Sequence, residues 1–239
     1  MPAMDFNILV SFFPIISEKS AMDAVFANTN PYNPNSWLQD IDQRDPHHSY
    51  VVVDLFHQKR FSLAHGQHEF VVFRVKPRQH LGPGPRPRHD VKISRTIDPS
   101  TIPAKLGLWG PANDTIEVMH NEQVNPNEHV FRQSWTLAEA PSLRKASRII
   151  LDIHQTVPKH YLFSTPCYTF ARATTDAVCL VANGANHPQP HTCLFKRSYF
   201  LRIIPAGTSK SKEVAETVAR VLQNHQVDLS VVCKPFLIS

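Results

Sequence analysis

The chain has 239 residues, 42% of them hydrophobic, and a formal net charge of +5. That length supports a sizeable core in a single domain spanning 1–239. No apolar run reaches the eighteen or more residues of a membrane-spanning helix, and four cysteines without a CxxC pair exclude a disulfide framework, so a soluble, cytoplasmic protein is expected.

Charge is uneven along the chain. Residues 1–46 carry six acidic side chains against Lys19 and Arg44, whereas Arg74, Lys76, Arg78, Arg86, Arg88, Lys92 and Arg95 face a single acid, Asp90. Such a basic stripe could attract an anionic surface; a solvated loop is its simpler reading.

The N-terminal MPAMDFNILVSFFPII lacks a basic leader and a small-residue cleavage site, and reads as folded structure. Residues 29–47, rich in Asn, Pro and Asp, predict an irregular lead-in. SYVVVDLF (49–56), KRFSLAHG (59–66) and EFVVFRVKP (69–77) then read as three strands of an antiparallel meander joined by HQK and QH. The Pro-rich segment 77–90 predicts a surface loop. VKISRTI (91–97) and TIEVMH (115–120) are the next predicted strands.

In the C-terminal half, Leu143, Ala146, Ile149, Ile150, Ile153 and Val157 recur at helical spacing after Pro141, and Pro158 ends that pattern. A second helix opens at Cys167 and runs to about 182, before Asn183-Gly184. A strand over 192–204, a helix over 211–225 and a last strand over 227–234 complete the expectation. The fold class is α+β, an antiparallel meander sheet packed against helices.

Cys167 is the chemical candidate. At a helix start, unpaired amide N–H groups favour a thiolate, which lowers the thiol pKa. A nucleophilic cysteine needs a base within hydrogen-bond reach and a third polar group to orient it. Among 14 histidines, His48 stands at the head of the first predicted strand, and His65 lies near the end of the second. His57 and Asp54 compete with His65 for the third position.

The motifs His48-Ser49-Tyr50-Val51 and Leu162 with Cys167-Tyr168-Thr169-Phe170-Ala171 resemble those of the circularly permuted papain-like superfamily, which includes lecithin retinol acyltransferase-like proteins and PPPDE-type peptidases. The resemblance covers roughly 47–76 and 143–181. It implies a cysteine-dependent hydrolase or acyltransferase, with Cys167 as nucleophile, His48 as base and His65 as the polarising residue. The substrate would be a peptide, an isopeptide or a lipid ester. Pro166 stands where that group usually has Asn, His160 where it often has Tyr, and Ser49 replaces the usual bulky residue after His48. The alternative is an inactive relative acting as a binding module, including one for anionic surfaces.

No cofactor or metal is expected. His187, His191 and Cys193 in HPQPHTC have ligand-type side chains but no evident fourth partner. GPGPRPR lacks the pattern of a phosphate-cradling loop, and G-x-S-x-G is absent.

Overall fold

The computed structural model describes residues 21–62, 66–79, 85–97, 109–120, 124–157, 159–161, 167–183, 199–200, 204–205 and 208–227. Strands β1 (Tyr50–Ser62), β2 (Gly66–Pro77), β3 (His89–Ile97) and β4 (Trp109–Met119) form an antiparallel meander, and β5 (His129–Ser134) pairs with β1 and β6 (Lys159–Tyr161) with β4. The resulting sheet has six strands in the order β5-β1-β2-β3-β4-β6. Helices α1 (Pro34–Arg44), α2 (Leu143–Thr156), α3 (Cys167–Asn183) and α4 (Thr208–Asn224) complete an α+β architecture, with a short β7-β8 pair at Tyr199–Phe200 and Ile204–Pro205.

Alternation along the strands decides what faces the helices. On β2 Val71, Phe73 and Val75 point inward, on β3 Val91 and Ile93, and on β4 Ile116. They meet the apolar faces of α2 (Leu143, Ile149, Ile153), α3 (Phe170, Val178) and α4 (Val214, Val221) in one continuous core. On β1 the alternation is broken. The ladder to β2 shifts register between Val52 and Asp54, leaving Val53 as the extra residue of a bulge. Tyr50 and Val52 face the core before it, and Leu55 and His57 after it. Without the bulge, Phe56 and Gln58 would occupy those positions.

Three expectations change. The strands expected at 49–56 and 59–66 are one continuous strand, because the HQK read as a turn is paired across the ladder: His57 with Val71, Gln58 with Phe70 and Lys59 with Glu69. Its polar groups are satisfied inside the sheet, His57 by Glu69 and Gln58 by the Asn125 carbonyl at 2.9 Å. The expected irregular lead-in contains α1: the Asn33 side chain accepts the Ser36 N–H at 2.9 Å, Pro34 opens the helix, and Trp37 and Ile41 fall one turn apart on its buried face. The Trp37 indole N–H donates to Ser147 on α2 at 2.9 Å and fastens the two helices. β5 and β6 were not expected.

The helix expected from 141 begins at Leu143 behind an N-cap at Ser142, and α3 starts at Cys167 as the spacing indicated. Around the Pro-rich segment, residues 78, 79 and 85–88 lie outside regular structure. The strand expected over 227–234 and most of that over 192–204 lie outside the described residues.

The basic stripe does not form one surface. Strand geometry sends Lys92 and Arg95 to opposite faces of β3, and Arg95 is buried against Asp114. On the other face Arg74 pairs with Asp90 at 2.9 Å and Lys92 with Glu117 at 2.9 Å, above the apolar patch of Phe56, Phe70 and Val72. Arg74 and Arg132 also lie over the Phe56 ring, and Arg60 and Lys92 over Phe70.

Candidate functional site

α3 begins over the start of β2. There the Glu69 backbone N–H donates to the Cys167 sulfur at 3.3 Å. The Glu69 side chain, 4% exposed, bonds His57 Nε2 at 2.8 Å and lies 3.6 Å from Lys59 Nζ. Glu69 therefore connects a thiol, an imidazole and an ammonium group at one end of one helix. Its partner His57 is fully buried, a position an imidazole holds when its polar atoms are bonded.

The helix start does not make Cys167 a thiolate. Burial pushes the Cys167 thiol up to about 11, and the nearby Glu69 charge adds to that effect. The amides of Glu69, Tyr168 and Cys167 itself pull the other way, as a helix N-terminus should, but desolvation outweighs them. Cys179, about three turns of α3 further on, is also held well above the usual thiol range by burial, then by the Asp176 charge. Both are reduced thiols.

A second buried network lies beside the first. Arg95 on β3 makes a bidentate pair with Asp114 on β4, both contacts at 2.6 Å, and His154 Nδ1 on α2 reaches Asp114 Oδ2 at 2.7 Å. Burial alone would raise the Asp114 carboxyl, yet the hydrogen bonds from Arg95 and His154 hold it below the ordinary aspartate value. The Arg95 guanidinium also sits 4.4 Å from the centre of the Phe170 ring, one turn into α3.

His48 is elsewhere. It adopts a left-handed backbone (φ 54°) and donates its N–H to the Asp45 carbonyl at 3.1 Å, within a turn whose other amides, Ser49 and Tyr50, bond the Asp45 carboxylate. Its Nε2 accepts from Arg144 at 2.7 Å, and Arg144 pairs with Asp42. The ring lines a cleft together with Val181 and Ala182, at the far end of α3 from Cys167. At ~1.5 Å rise per residue, the helix between Cys167 and Val181 is about 21 Å long. The expected Cys167–His48 dyad is therefore not assembled: the strand head that carries His48 lies against the C-terminal end of α3, and the strand end that carries His57 lies against its N-terminal end.

His65, expected as the third residue, lies outside the described residues, as do His187, His191 and Cys193. Asp54, its competitor, is turned to the outer face, where it bonds Ser134 at 2.5 Å and Arg132 at 3.1 Å. His57, the other competitor, shares Glu69 with Cys167.

Glu69 and Asp114 were missed, and Arg95 was read only as part of the basic stripe. Each is a charged residue in phase with core positions of its strand: Glu69 with Val71 and Phe73, Arg95 with Val91 and Ile93, Asp114 with Ile116. That phase was the available signal.

Among the described residues no group of three or more His, Cys, Asp or Glu could hold a metal ion, and no helix is long and apolar enough to cross a membrane. Comparison with known proteins found no matching family model, curated protein or solved structure.

Proposed function

We propose that the chain is a cysteine-dependent hydrolase or acyltransferase in which Cys167 is the nucleophile and the His57–Glu69 pair replaces His48 as base and orienting carboxylate. The observation that carries this reading is the double role of Glu69, whose amide touches the Cys167 sulfur while its carboxylate holds His57 Nε2. With Nε2–H donated to Glu69, the neutral ring keeps Nδ1 as its basic nitrogen. In the proposed reaction His57 Nδ1 takes the Cys167 proton as sulfur attacks an acyl carbonyl. The leaving group departs with that proton, and water or an acyl acceptor cleaves the thioester. In this reading the amides at the start of α3 receive the oxyanion. A peptide, an isopeptide and a lipid ester all present such a carbonyl.

A second reading has its own support. A thiol pushed up to about 11 stays protonated at neutral pH, which fits an inactive relative that keeps Cys167 as a packed core residue and acts as a binding module.

Iodoacetamide labelling of the native protein across pH separates the two. Under the enzyme reading Cys167 reacts while the protein is folded, and an activated acyl ester traps a thioester that Cys167→Ala abolishes and His57→Gln suppresses. Reaction only after unfolding, with no trapped thioester, leaves the binding-module reading.

A further inference from the structure

The opposite end of α3 opens on a cleft of about 670 Å³ lined by His47 and His48 before β1, Arg78 after β2, Ser142 capping α2 and Lys145 within it, and Val181 of α3. On the sheet and at the start of α2, Arg74, Lys92, Arg95, Arg132 and Arg144 each pair with a carboxylate. Among the described residues neither Arg78 nor Lys145 lies within ion-pairing distance of one. Arg78 donates to the carbonyls of Leu137 at 3.0 Å and Ala140 at 2.9 Å, which fixes its head group but leaves its charge uncompensated. Lys145 Nζ lies 3.5 Å from the Val181 carbonyl. Glu139, the one acid in the lining, accepts from the Thr136 hydroxyl at 2.8 Å.

Two further features carry the same sign. Arg144 and Lys145 stand in the first turn of α2, which holds no acid, so two cations crowd the positive end of a helix dipole. Asp42 offsets Arg144, which leaves Lys145 as the cation there that no carboxylate among the described residues balances. His48 presents a polarised ring: Arg144 can only donate, so Nε2 accepts and the ring proton resides on Nδ1, a donor.

We propose that this cleft binds a small ligand through an oxyanion group, a phosphate or a carboxylate, with Lys145 and Arg78 supplying the charge and His48 Nδ1–H a donor, beside His47. The site is separate from the Cys167 cluster and stands whether or not that cluster is catalytic.

Calorimetric titration of the full chain with pyrophosphate, and separately with citrate, tests it at matched ionic strength. One of the two anions is expected to bind with a Kd below about 1 mM. Lys145→Gln combined with His47→Gln should weaken that binding about tenfold or more, with an unchanged thermal melt. Arg148→Gln, an exposed cation on the next turn that faces Asp42 rather than the cleft, should leave it unchanged. Sedimentation with phosphatidylserine vesicles identifies the source. Vesicle binding lost in the double variant assigns the oxyanion to a lipid headgroup, and binding to the soluble anions alone assigns it to a small metabolite. Absence of binding to all three probes, equal binding by the double variant, or equal loss in Arg148→Gln overturns the proposal. Should the double variant fail to fold, Lys145→Gln alone carries the same expectations.

Discussion

The two ends of α3 solve opposite problems with similar residues. At its N-terminal end a carboxylate, a histidine and a thiol are enclosed, so desolvation dominates and the thiol is kept neutral. At its C-terminal end histidines, an arginine and a lysine surround an open cleft, and charge is left for solvent or a ligand to balance. Burial rather than residue type separates them. A histidine inside the sheet is held by a carboxylate from the next strand, whereas one at the strand head is held by an arginine and a strained turn.

Variants at the enclosed end should have the larger effects. Asp114→Ala leaves Arg95 buried without its partner and is expected to destabilise the fold by about 3–5 kcal/mol in urea unfolding. Acid should act on the same pair. Because the folded Asp114 carboxyl lies below the ordinary aspartate value of 3.8, its stabilisation is present above that value and is lost as pH falls through the lower folded pKa. Low-pH melts of the wild type against Asp114→Asn should therefore converge.

Cys167 gives the opposite sign. Its folded pKa of about 11 lies above the ordinary thiol value of 9.0, so its contribution is complete below pH 9 and is lost as pH rises towards 11. The loss should approach about 3 kcal/mol, and the difference in stability between wild type and Cys167→Ala should shrink over that window. Glu69→Gln removes a charge that raises the thiol, so its iodoacetamide profile should move to lower pH than that of the wild type. An unmoved profile would show that desolvation alone sets the thiol. At the solvent-exposed outer face, Arg132→Ala breaks an exposed pair with Asp54 and should change stability by only about 0.2–1 kcal/mol. A larger change there would mean that the outer face is less open than the comparison holds.

Helical periodicity carried most of what was legible. α2 and α3 were readable because their apolar residues recur on one face and because Pro141, just ahead of α2, and the Cys167 start of α3 mark beginnings. α1 carried a readable signal in Asn33-Pro34 followed by Trp37 and Ile41, but its polar composition masked it. The continuous β1 was harder, since a buried His57-Gln58 pair has the local chemistry of a turn and its satisfaction depends on Glu69 and Asn125, 12 and 67 residues away. The partner of Cys167 was harder still. Sequence order offers His48 and His57 equally, and only the direction in which α3 crosses the sheet brings the second to the thiol's neighbourhood. Helix-start electrostatics was also an incomplete guide to that thiol, because the depth of its burial is a property of the packed molecule.

The bulge at Val53 gives β1 one residue of slack. Deleting that residue would restore unbroken alternation between the two halves of β1 and leave Tyr50, Val52, Leu55 and His57 all on the core face, because it is the residue the ladder leaves unpaired. Straightening the strand at its present length would instead exchange Leu55 and His57 with Phe56 and Gln58. One amino acid therefore acts as a spacer that the strand must set aside if its imidazole is to face inward, and an insertion that no bulge absorbs should alter the interior more than most substitutions within it.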